Sequence, residues 1–174
     1  MRIIFFRHGI AADRLDHQSE ADRPLTVAGI EKTKRVAAGL AKLIDSPAVI
    51  LTSPKLRARQ TADLLGRQMR VEPRIVNALG AGRAESMIEV LAELQRSGSS
   101  ELPGVPGVPG AGACVVVGHE PDLSEAIEML LTGQTLERLE LKKAGAACVE
   151  TTGPIRWGEP CAKLLWLVTP GMWQ

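Results

Sequence analysis

A short apolar segment near the start of the chain constrains its fold more than any other feature. The four residues Ile3-Ile4-Phe5-Phe6 are β-branched or aromatic and follow one another without a polar interruption. Such a run is typical of a β-strand buried on both faces, and strands of this kind belong to parallel sheets covered by helices. We therefore expect an α/β protein, built as a three-layer α/β/α sandwich around a mostly parallel central sheet.

Two later segments, at residues 48–51 and 114–117, have the same apolar character and are also expected to be buried strands. Thr26 is a good N-cap, and apolar residues at helical spacing follow it up to residue 44. Ser53 as an N-cap with Pro54 in the first helical position predicts a second helix, which extends to about residue 69. Two further helices are expected at residues 85–96 and 121–131.

Three weaker patterns complete the expected sheet. Residues 71–76 form a short strand that Pro73 places near an edge, and residues 146–150 form another. Residues 163–168 are apolar enough for a central or well-covered strand.

Residues 97–113 are dominated by Ser, Gly and Pro, which should sustain neither a helix nor a strand ladder. They are therefore expected to form a surface loop within a single domain spanning residues 1–174.

The charge balance argues against nucleic acid as a partner, since 21 basic and 20 acidic side chains leave a formal net charge of +1. The three cysteines are far apart and in no metal-binding pattern, so they are expected to be small buried hydrophobic residues. The N-terminus has no secretion signal pattern, and no apolar run is long enough to span a membrane. A soluble, monomeric, cytoplasmic protein that uses no metal or cofactor is expected.

Polar residues follow the first strand at the point where it ends. In open α/β sheets ligands bind beyond the carboxyl ends of the strands, which is where Arg7 and His8 lie. Gly9 allows the backbone to turn there. The polar loop at residues 10–24 begins at this same end and can fold over the site, although His17 within it is interpreted as an ordinary solvated side chain.

Two other strand ends carry residues suited to an anion. Arg57 lies in the first turns of the predicted second helix, together with Lys55 and Arg59. Cations at the positive end of a helix dipole are unfavourable unless an anion binds there. His119 follows the strand at residues 114–117 and precedes a helix N-terminus, a position suited to anion binding. Arg7, His8, Arg57 and His119 are therefore expected to meet at one edge of the sheet.

These segments resemble the motifs of the histidine phosphatase superfamily, whose members have a phosphoglycerate mutase-like fold. The resemblance rests on Arg7-His8-Gly9 after an N-terminal strand, on residues 53–61 matching S-P-x-x-R-x-x-Q-T, and on Gly118-His119. It implies that His8 is the nucleophile that becomes phosphorylated, that Arg7 and Arg57 bind the phosphoryl group, and that His119 contacts it. Gly9 and Arg23 are then expected to bind substrate.

Within this superfamily the chain looks like the SixA-type phosphohistidine phosphatases. It has the segment Arg23-Pro24-Leu25-Thr26-x-x-Gly29, and residues 77–83 contain no carboxylate where larger relatives carry a glutamate acid. The resemblance implies a metal-independent phosphatase whose partner is a phosphohistidine-bearing protein, either a phosphocarrier or a phosphotransfer domain. If a general acid is needed, Glu20 and Asp22 on the loop are the candidates.

The sequence leaves three further functions open. The chain could be a phosphomonoesterase of the same superfamily that acts on small molecules. It could be a module that recognises phosphate without turnover, although a module of that kind has no need of a nucleophile such as His8. A metallohydrolase would lose its activity when a chelator is added, whereas a phosphatase that works through a phosphohistidine would not.

Overall fold

The computed structural model describes residues 1–13, 15, 19–44, 47, 49–97, 101–102, 105–106 and 113–173. The strands are β1 Arg2–Arg7, β2 Val49–Thr52, β3 Pro73–Ile75, β4 Glu101–Leu102, β5 Val105–Pro106, β6 Ala113–Gly118, β7 Ala146–Thr151 and β8 Ala162–Val168. The α-helices are α1 Val27–Leu43, α2 Leu56–Met69, α3 Ala84–Arg96 and α4 Asp122–Thr132. Single 3₁₀ turns lie at Glu20–Asp22, Asn77–Gly80 and Pro170–Trp173.

Six of the strands form a central sheet in the order β3-β2-β6-β1-β7-β8. Strands β3, β2, β6 and β1 are parallel, whereas β7 and β8 run antiparallel to their neighbours. In the register, Arg7 of β1 pairs with Gly118 of β6, and Thr52 of β2 pairs with Val117. The carboxyl ends of these three parallel strands therefore meet at one edge of the sheet.

Alternate residues of β1 pack into two separate hydrophobic cores, one on each face of the sheet. Ile3 and Phe5 belong to the core that contains residues of α3 and α4. Ile4 and Phe6 belong to the core that contains residues of α1 and α2. All four side chains are fully buried, as expected for a strand covered on both faces. The predicted three-layer α/β/α sandwich with a mostly parallel sheet is thus confirmed.

The two predicted helix starts differ in outcome. Thr26 is the N-cap of α1, and its Oγ1 accepts a hydrogen bond of 2.9 Å from the Gly29 N–H. The predicted start of α2 was wrong, because the helix begins at Leu56 with Lys55 as its N-cap, although it ends at Met69 as expected. Pro54 precedes the helix, and the Ser53 hydroxyl lies 2.8 Å from His119 Nε2. Ser53 thus makes a tertiary contact, which the local sequence pattern does not indicate.

Strand β8 corrects a second prediction. Among the described strands it pairs with β7 alone and lies at the edge of the sheet, and Leu164, Leu165 and Leu167 are 45%, 39% and 37% exposed. Its apolar composition suggested a central or well-covered position, but composition does not decide how many neighbours a strand has. In contrast, β3 lies at the opposite edge, as Pro73 predicted.

The Pro- and Gly-rich stretch at residues 97–113 also differs from the prediction. Strands β4 and β5 pair antiparallel within it, with Leu102 opposite Val105. The expectation that this stretch forms no ladder was therefore wrong, because a pair of two-residue strands needs few ladder positions and accepts Pro106 at one of them. Within the part of the chain that the structure describes, no helix is long and apolar enough to cross a membrane.

Candidate active site

His8 follows the end of β1, and two hydrogen bonds fix the protonation of its ring. Its Nδ1 lies 2.7 Å from the Gly9 carbonyl oxygen, and its Nε2 lies 3.2 Å from Nε of Arg57. A carbonyl can only accept and a guanidinium N–H can only donate. The His8 ring therefore carries its proton on Nδ1 and a lone pair on Nε2.

The surroundings of His8 also keep the ring uncharged. Burial, above all, lowers the pKa of His8 to about 4, and the positive charges of Arg57, Arg7 and Lys143 add to the effect. The hydrogen bond to the Gly9 carbonyl opposes this shift. His8 is consequently a neutral imidazole at any pH near 7, and its Nε2 lone pair is available as a nucleophile.

Arg57 lies in the first turn of α2, and its side chain is only 8% exposed. Besides its contact with His8, its Nη1 donates to the Glu20 carbonyl oxygen at 2.8 Å. Its Nη2 forms an ion pair of 3.1 Å with Glu20 Oε1. Burial lowers the pKa of Arg57, and the nearby Glu20 carboxylate opposes that shift. The helix end therefore presents a desolvated guanidinium that already binds an anionic group of the protein.

Glu20 bridges Arg57 and Arg23, both of which the sequence singled out. Nη1 of Arg23 donates to both Glu20 oxygens, at 2.9 and 3.1 Å, and its Nε donates to the Ala12 carbonyl at 2.8 Å. Two guanidinium groups stabilise the ionised carboxylate, which is the form that cannot donate a proton. In this arrangement Glu20 is not a general acid. Asp22, the other candidate acid, lies on the same exposed turn. His17 is outside the described residues.

His119 follows β6 and lies beside the nucleophile. Its ring centroid is 5.0 Å from that of His8, and its Nε2 lies 2.8 Å from Ser53 Oγ. Its Nδ1 is buried and has no hydrogen-bond partner among the described residues. Burial, then the charges of His8, Arg57, Lys55 and Arg7, lower the pKa of His119 to about 2.

The contact between His119 Nε2 and Ser53 Oγ is compatible with a proton on either ring nitrogen, because a hydroxyl can both donate and accept. Ser53 Oγ accepts the Lys55 backbone N–H at 3.3 Å, and in one arrangement its own O–H donates to His119 Nε2. That arrangement leaves the ring proton on Nδ1 as a buried donor, and a bound phosphoryl oxygen would satisfy it.

Arg7 is the last residue of β1, and its guanidinium is held by the segment between α4 and β7. Nη1 donates to the Leu141 carbonyl oxygen and forms an ion pair of 3.1 Å with Glu140 Oε1. Its Nε is buried without a hydrogen-bond partner among the described residues. Arg7 is thus fixed at one nitrogen while another retains an unused donor.

The sequence suggested that Gly9 binds substrate, whereas in the structure its backbone N–H and carbonyl contact residues of the protein. Its N–H, the donor that a phosphate needs, already bonds to Thr61 Oγ1 at 3.0 Å. The same Thr61 hydroxyl donates to the Arg57 carbonyl at 2.7 Å, so one side chain links the end of β1 to α2. Gly9 therefore positions His8 through its carbonyl and N–H.

Sequence reasoning missed the residues that support this site. Thr61 and Gln60 were recognised only as part of a motif, whereas Gln60 Oε1 accepts the Leu25 N–H at 2.7 Å and so holds the loop that carries Glu20. The sequence did not indicate Glu140 and Leu141, because they contact Arg7 from a loop that lies far from it in the chain. The motif S-P-x-x-R-x-x-Q-T was the one signal that could have indicated Gln60 and Thr61.

The structure brings His8, Arg7, Arg57 and His119 together at one edge of the sheet. This group combines a neutral nucleophilic imidazole with two guanidinium groups and a second imidazole, which suits a phosphoryl group with three charged oxygens. Among the described residues, no three His, Cys, Asp or Glu side chains lie close enough to hold a metal ion.

Comparison with known proteins agrees with this arrangement. A family model described as histidine phosphatase superfamily (branch 1) matches residues 3–96. An uncharacterized protein of Picosynechococcus sp. is 41% identical over 147 residues, which are 83% of this chain and 82% of that protein.

Solved structures of similar fold include a protein histidine phosphatase SixA complexed with tungstate, at 24% identity, full coverage of both chains and a TM-score of 0.78. A putative phosphohistidine phosphatase SixA from Agrobacterium tumefaciens gives 20% identity, 97% coverage of each chain and a TM-score of 0.75. A mycobacterial glucosyl-3-phosphoglycerate phosphatase gives 19% identity, coverage of 97% of this chain and 99% of that chain, and a TM-score of 0.73. Because the family model covers more than half of its residues, the chain belongs to the histidine phosphatase superfamily.

Proposed function

We propose that this protein is a phosphatase that transfers a phosphoryl group to His8 Nε2 and then to water, with phosphohistidine on another protein as its substrate. One observation carries the proposal. The Nε2 lone pair of His8 is fixed by the Gly9 carbonyl at the opposite ring nitrogen, in a site where the pKa of His8 is lowered to about 4. A neutral imidazole held in one orientation, with its free lone pair beside a guanidinium group, is an arrangement that suits a nucleophile.

The guanidinium groups provide the binding energy for the phosphoryl group. Arg57 Nε now contacts His8 Nε2, and its two other nitrogens contact Glu20. A phosphoryl group that arrives between His8 and Arg57 takes over these donors, and Arg7 Nε and His119 Nδ1 can each donate to a further oxygen. Donors fixed around a transferring phosphoryl group are the main source of catalysis in this chemistry.

The reaction has two steps. In the first, the lone pair of His8 Nε2 forms a bond to phosphorus, and the bond between phosphorus and the substrate nitrogen breaks with its electron pair on the leaving imidazole. In the second, a water oxygen attacks phosphorus and the bond to Nε2 breaks, which returns a neutral His8 and releases inorganic phosphate. The proton lost by water passes to a phosphate oxygen or to bulk solvent.

The leaving group determines whether a general acid is needed. Glu20 is paired with two arginines in its ionised form, and residues 77–83 contain no carboxylate. An alkoxide leaving group requires a proton from the enzyme, whereas a phosphoimidazole that is protonated on its other ring nitrogen leaves as neutral imidazole. With no acid at Glu20 or within residues 77–83, phosphohistidine is favoured over an alkyl phosphate.

A phosphomonoesterase that acts on small molecules is the second candidate, and one observation favours it. Burial raises the pKa of Glu120, which follows His119 directly, so this carboxyl holds a proton more readily than an exposed glutamate does. Its Oε1 accepts the Leu141 N–H at 3.0 Å, close to the group that holds Arg7. Proteins of similar fold include the glucosyl-3-phosphoglycerate phosphatase and a phosphoserine phosphatase from Entamoeba histolytica.

Substrate competition separates the two candidates. We expect the purified protein to dephosphorylate a phosphohistidine-bearing phosphocarrier domain with a kcat/KM at least about a hundredfold above that for any of a panel of sugar, nucleoside and serine phosphates. The panel is repeated with Glu120→Gln, which keeps an acceptor oxygen for the Leu141 N–H but removes the acidic proton, so it should lower the phosphohistidine rate far less than an ester rate. Preference for an ester, with loss of that activity in Glu120→Gln, would contradict the proposal.

The same assay distinguishes a metal-independent phosphatase from a metallohydrolase and from a phosphate-recognition module. Excess chelator should leave the rate unchanged, and a loss of activity that added metal restores would indicate a metallohydrolase. A protein that binds tungstate but turns over neither class of substrate would instead be a phosphate-recognition module.

A further inference from the structure

We infer that Glu128, a residue of α4 outside the reacting groups, is a positioning residue that sets the place of Arg7 by holding the loop at residues 136–141. The inference rests on the proposed function, since it assigns Arg7 to phosphoryl binding. It depends on one juxtaposition: the backbone segment that a buried Glu128 carboxylate binds leads directly into the two residues that contact the Arg7 guanidinium.

The Glu128 carboxylate accepts four consecutive backbone N–H groups. Its Oε2 accepts from residues 136 and 137 at 2.6 and 2.9 Å, and its Oε1 accepts from residues 138 and 139 at 2.7 and 2.9 Å. The residue is only 6% exposed. A single carboxylate thus satisfies four backbone donors in a segment that forms neither helix nor strand, so this part of the loop depends on it.

The loop continues directly into the contacts of Arg7. Glu140 Oε1 and the Leu141 carbonyl oxygen both bind Arg7 Nη1, and the Leu141 N–H donates to Glu120 Oε1. Glu140 is 61% exposed, so its ion pair contributes little, and the Leu141 carbonyl is the main constraint on the guanidinium. Two contacts set the position of Leu141. Glu128 binds the backbone segment that precedes it, and Glu120 accepts its own N–H.

The charge of Glu128 matters as much as its shape. Burial raises the pKa of Glu128, but the four backbone donors more than offset this, so that its pKa lies below the usual range. The group is therefore ionised at neutral pH, with two acceptor oxygens. Glutamine has one acceptor oxygen and places an NH₂ group where the other oxygen was, so Glu128→Gln leaves two backbone N–H groups without an acceptor.

The test is a double-mutant cycle between Glu128→Gln and Arg7→Ala, measured as kcat/KM on the phosphohistidine-bearing domain. We expect Glu128→Gln to lower kcat/KM about tenfold, a size seen when residues that orient ligands are removed in metal sites. In the Arg7→Ala background the same substitution should change kcat/KM less than about twofold, because the group it positions is gone.

The control is Glu137→Gln, which makes the same chemical change in the loop that Glu128 binds. The Glu137 side chain is exposed, and only its backbone N–H contacts Glu128. This variant should retain the wild-type kcat/KM. An equal loss from Glu128→Gln with and without Arg7, or no loss at all, would overturn the inference.

Two further measurements keep the inference separate from folding and from the proposed function. Should Glu128→Gln fail to fold, Glu128→Asp keeps the charge, withdraws it by one methylene and enters the same cycle. Should the wild-type protein show no turnover, the proposed function fails, and the same cycle is then measured as tungstate affinity by calorimetry. Coupling to Arg7 in that affinity supports the inference, and additive effects overturn it.

Discussion

His8 and His119 differ from ordinary histidines because burial and nearby cations disfavour a second proton on either ring. The pKa of His8 is lowered to about 4 and that of His119 to about 2, against an unperturbed value of about 6.5. Both rings therefore stay neutral across the range in which free histidine titrates. In the proposed mechanism, this neutrality allows His8 to attack phosphorus and His119 to donate from Nδ1 without repelling the arginines.

Nuclear magnetic resonance can follow these two rings directly. We expect the imidazole signals of His8 and His119, assigned with His8→Ala and His119→Ala, to show no titration between pH 5 and 8 in the ligand-free protein. The physical reason is that each lowered pKa lies below this window. A midpoint near 6.5 for either residue would mean that the pocket is more hydrated than its contacts indicate.

At the residue scale the sequence could indicate Arg7, His8, Arg57 and His119, because each lies at a strand end or in the first helical turn after a strand and has a recognisable chemical type. It could not indicate that Glu20 pairs with Arg57 or that Leu141 binds Arg7. These partners lie on loops whose paths depend on tertiary packing, and a carbonyl oxygen has no signature in the sequence.

At the scale of elements, the first turn of α1 is docked closely against the loop after β1. A Cβ built on Gly29 would lie 2.1 Å from the Ile10 carbonyl oxygen, which also accepts the Thr26 N–H at 2.9 Å. No side chain fits at that distance unless the helix or the loop shifts. Glycine at this position thus allows α1 to approach the segment that follows His8.

This contact predicts whether replacing Gly29 raises or lowers the free energy of unfolding. In a helix, alanine is ordinarily favoured over glycine by about 1 kcal/mol. Here we expect Gly29→Ala to lower the free energy of unfolding by at least about 2 kcal/mol, because overpacking outweighs helix propensity. Denaturant titration measures it, and Gly153→Ala, where nothing lies within 4 Å of the added Cβ, is the control. Stabilisation by Gly29→Ala would show that the helix can move away freely.

The elements themselves were predictable to different degrees. The buried strands β1, β2 and β6 have dense apolar runs, and α1 has a clear N-cap, so local patterns were sufficient. The edge position of β8 and the β4–β5 pair were not, since each depends on which segments lie beside it. The start of α2 was misplaced because the Ser53 hydroxyl lies against His119, a residue 66 positions away in the chain.

At the scale of the whole molecule, the site exists only because β6 lies between β1 and β2. That order sets the ends of three strands side by side, although they are far apart in the chain. Hydrophobic periodicity predicts that these strands are buried, but it does not give their order, which is seen in the structure. That the chain forms a single domain remains a prediction.

The central claim is that this assembly carries a phosphoryl group on His8 during turnover. Rapid quenching of the reaction with a ³²P-labelled phosphohistidine substrate tests it most directly. We predict an acid-labile, alkali-stable label on the wild-type protein at His8, and no label on a folded His8→Ala variant. Turnover without any such label on the wild-type protein, or an equal label on His8→Ala, would contradict the claim.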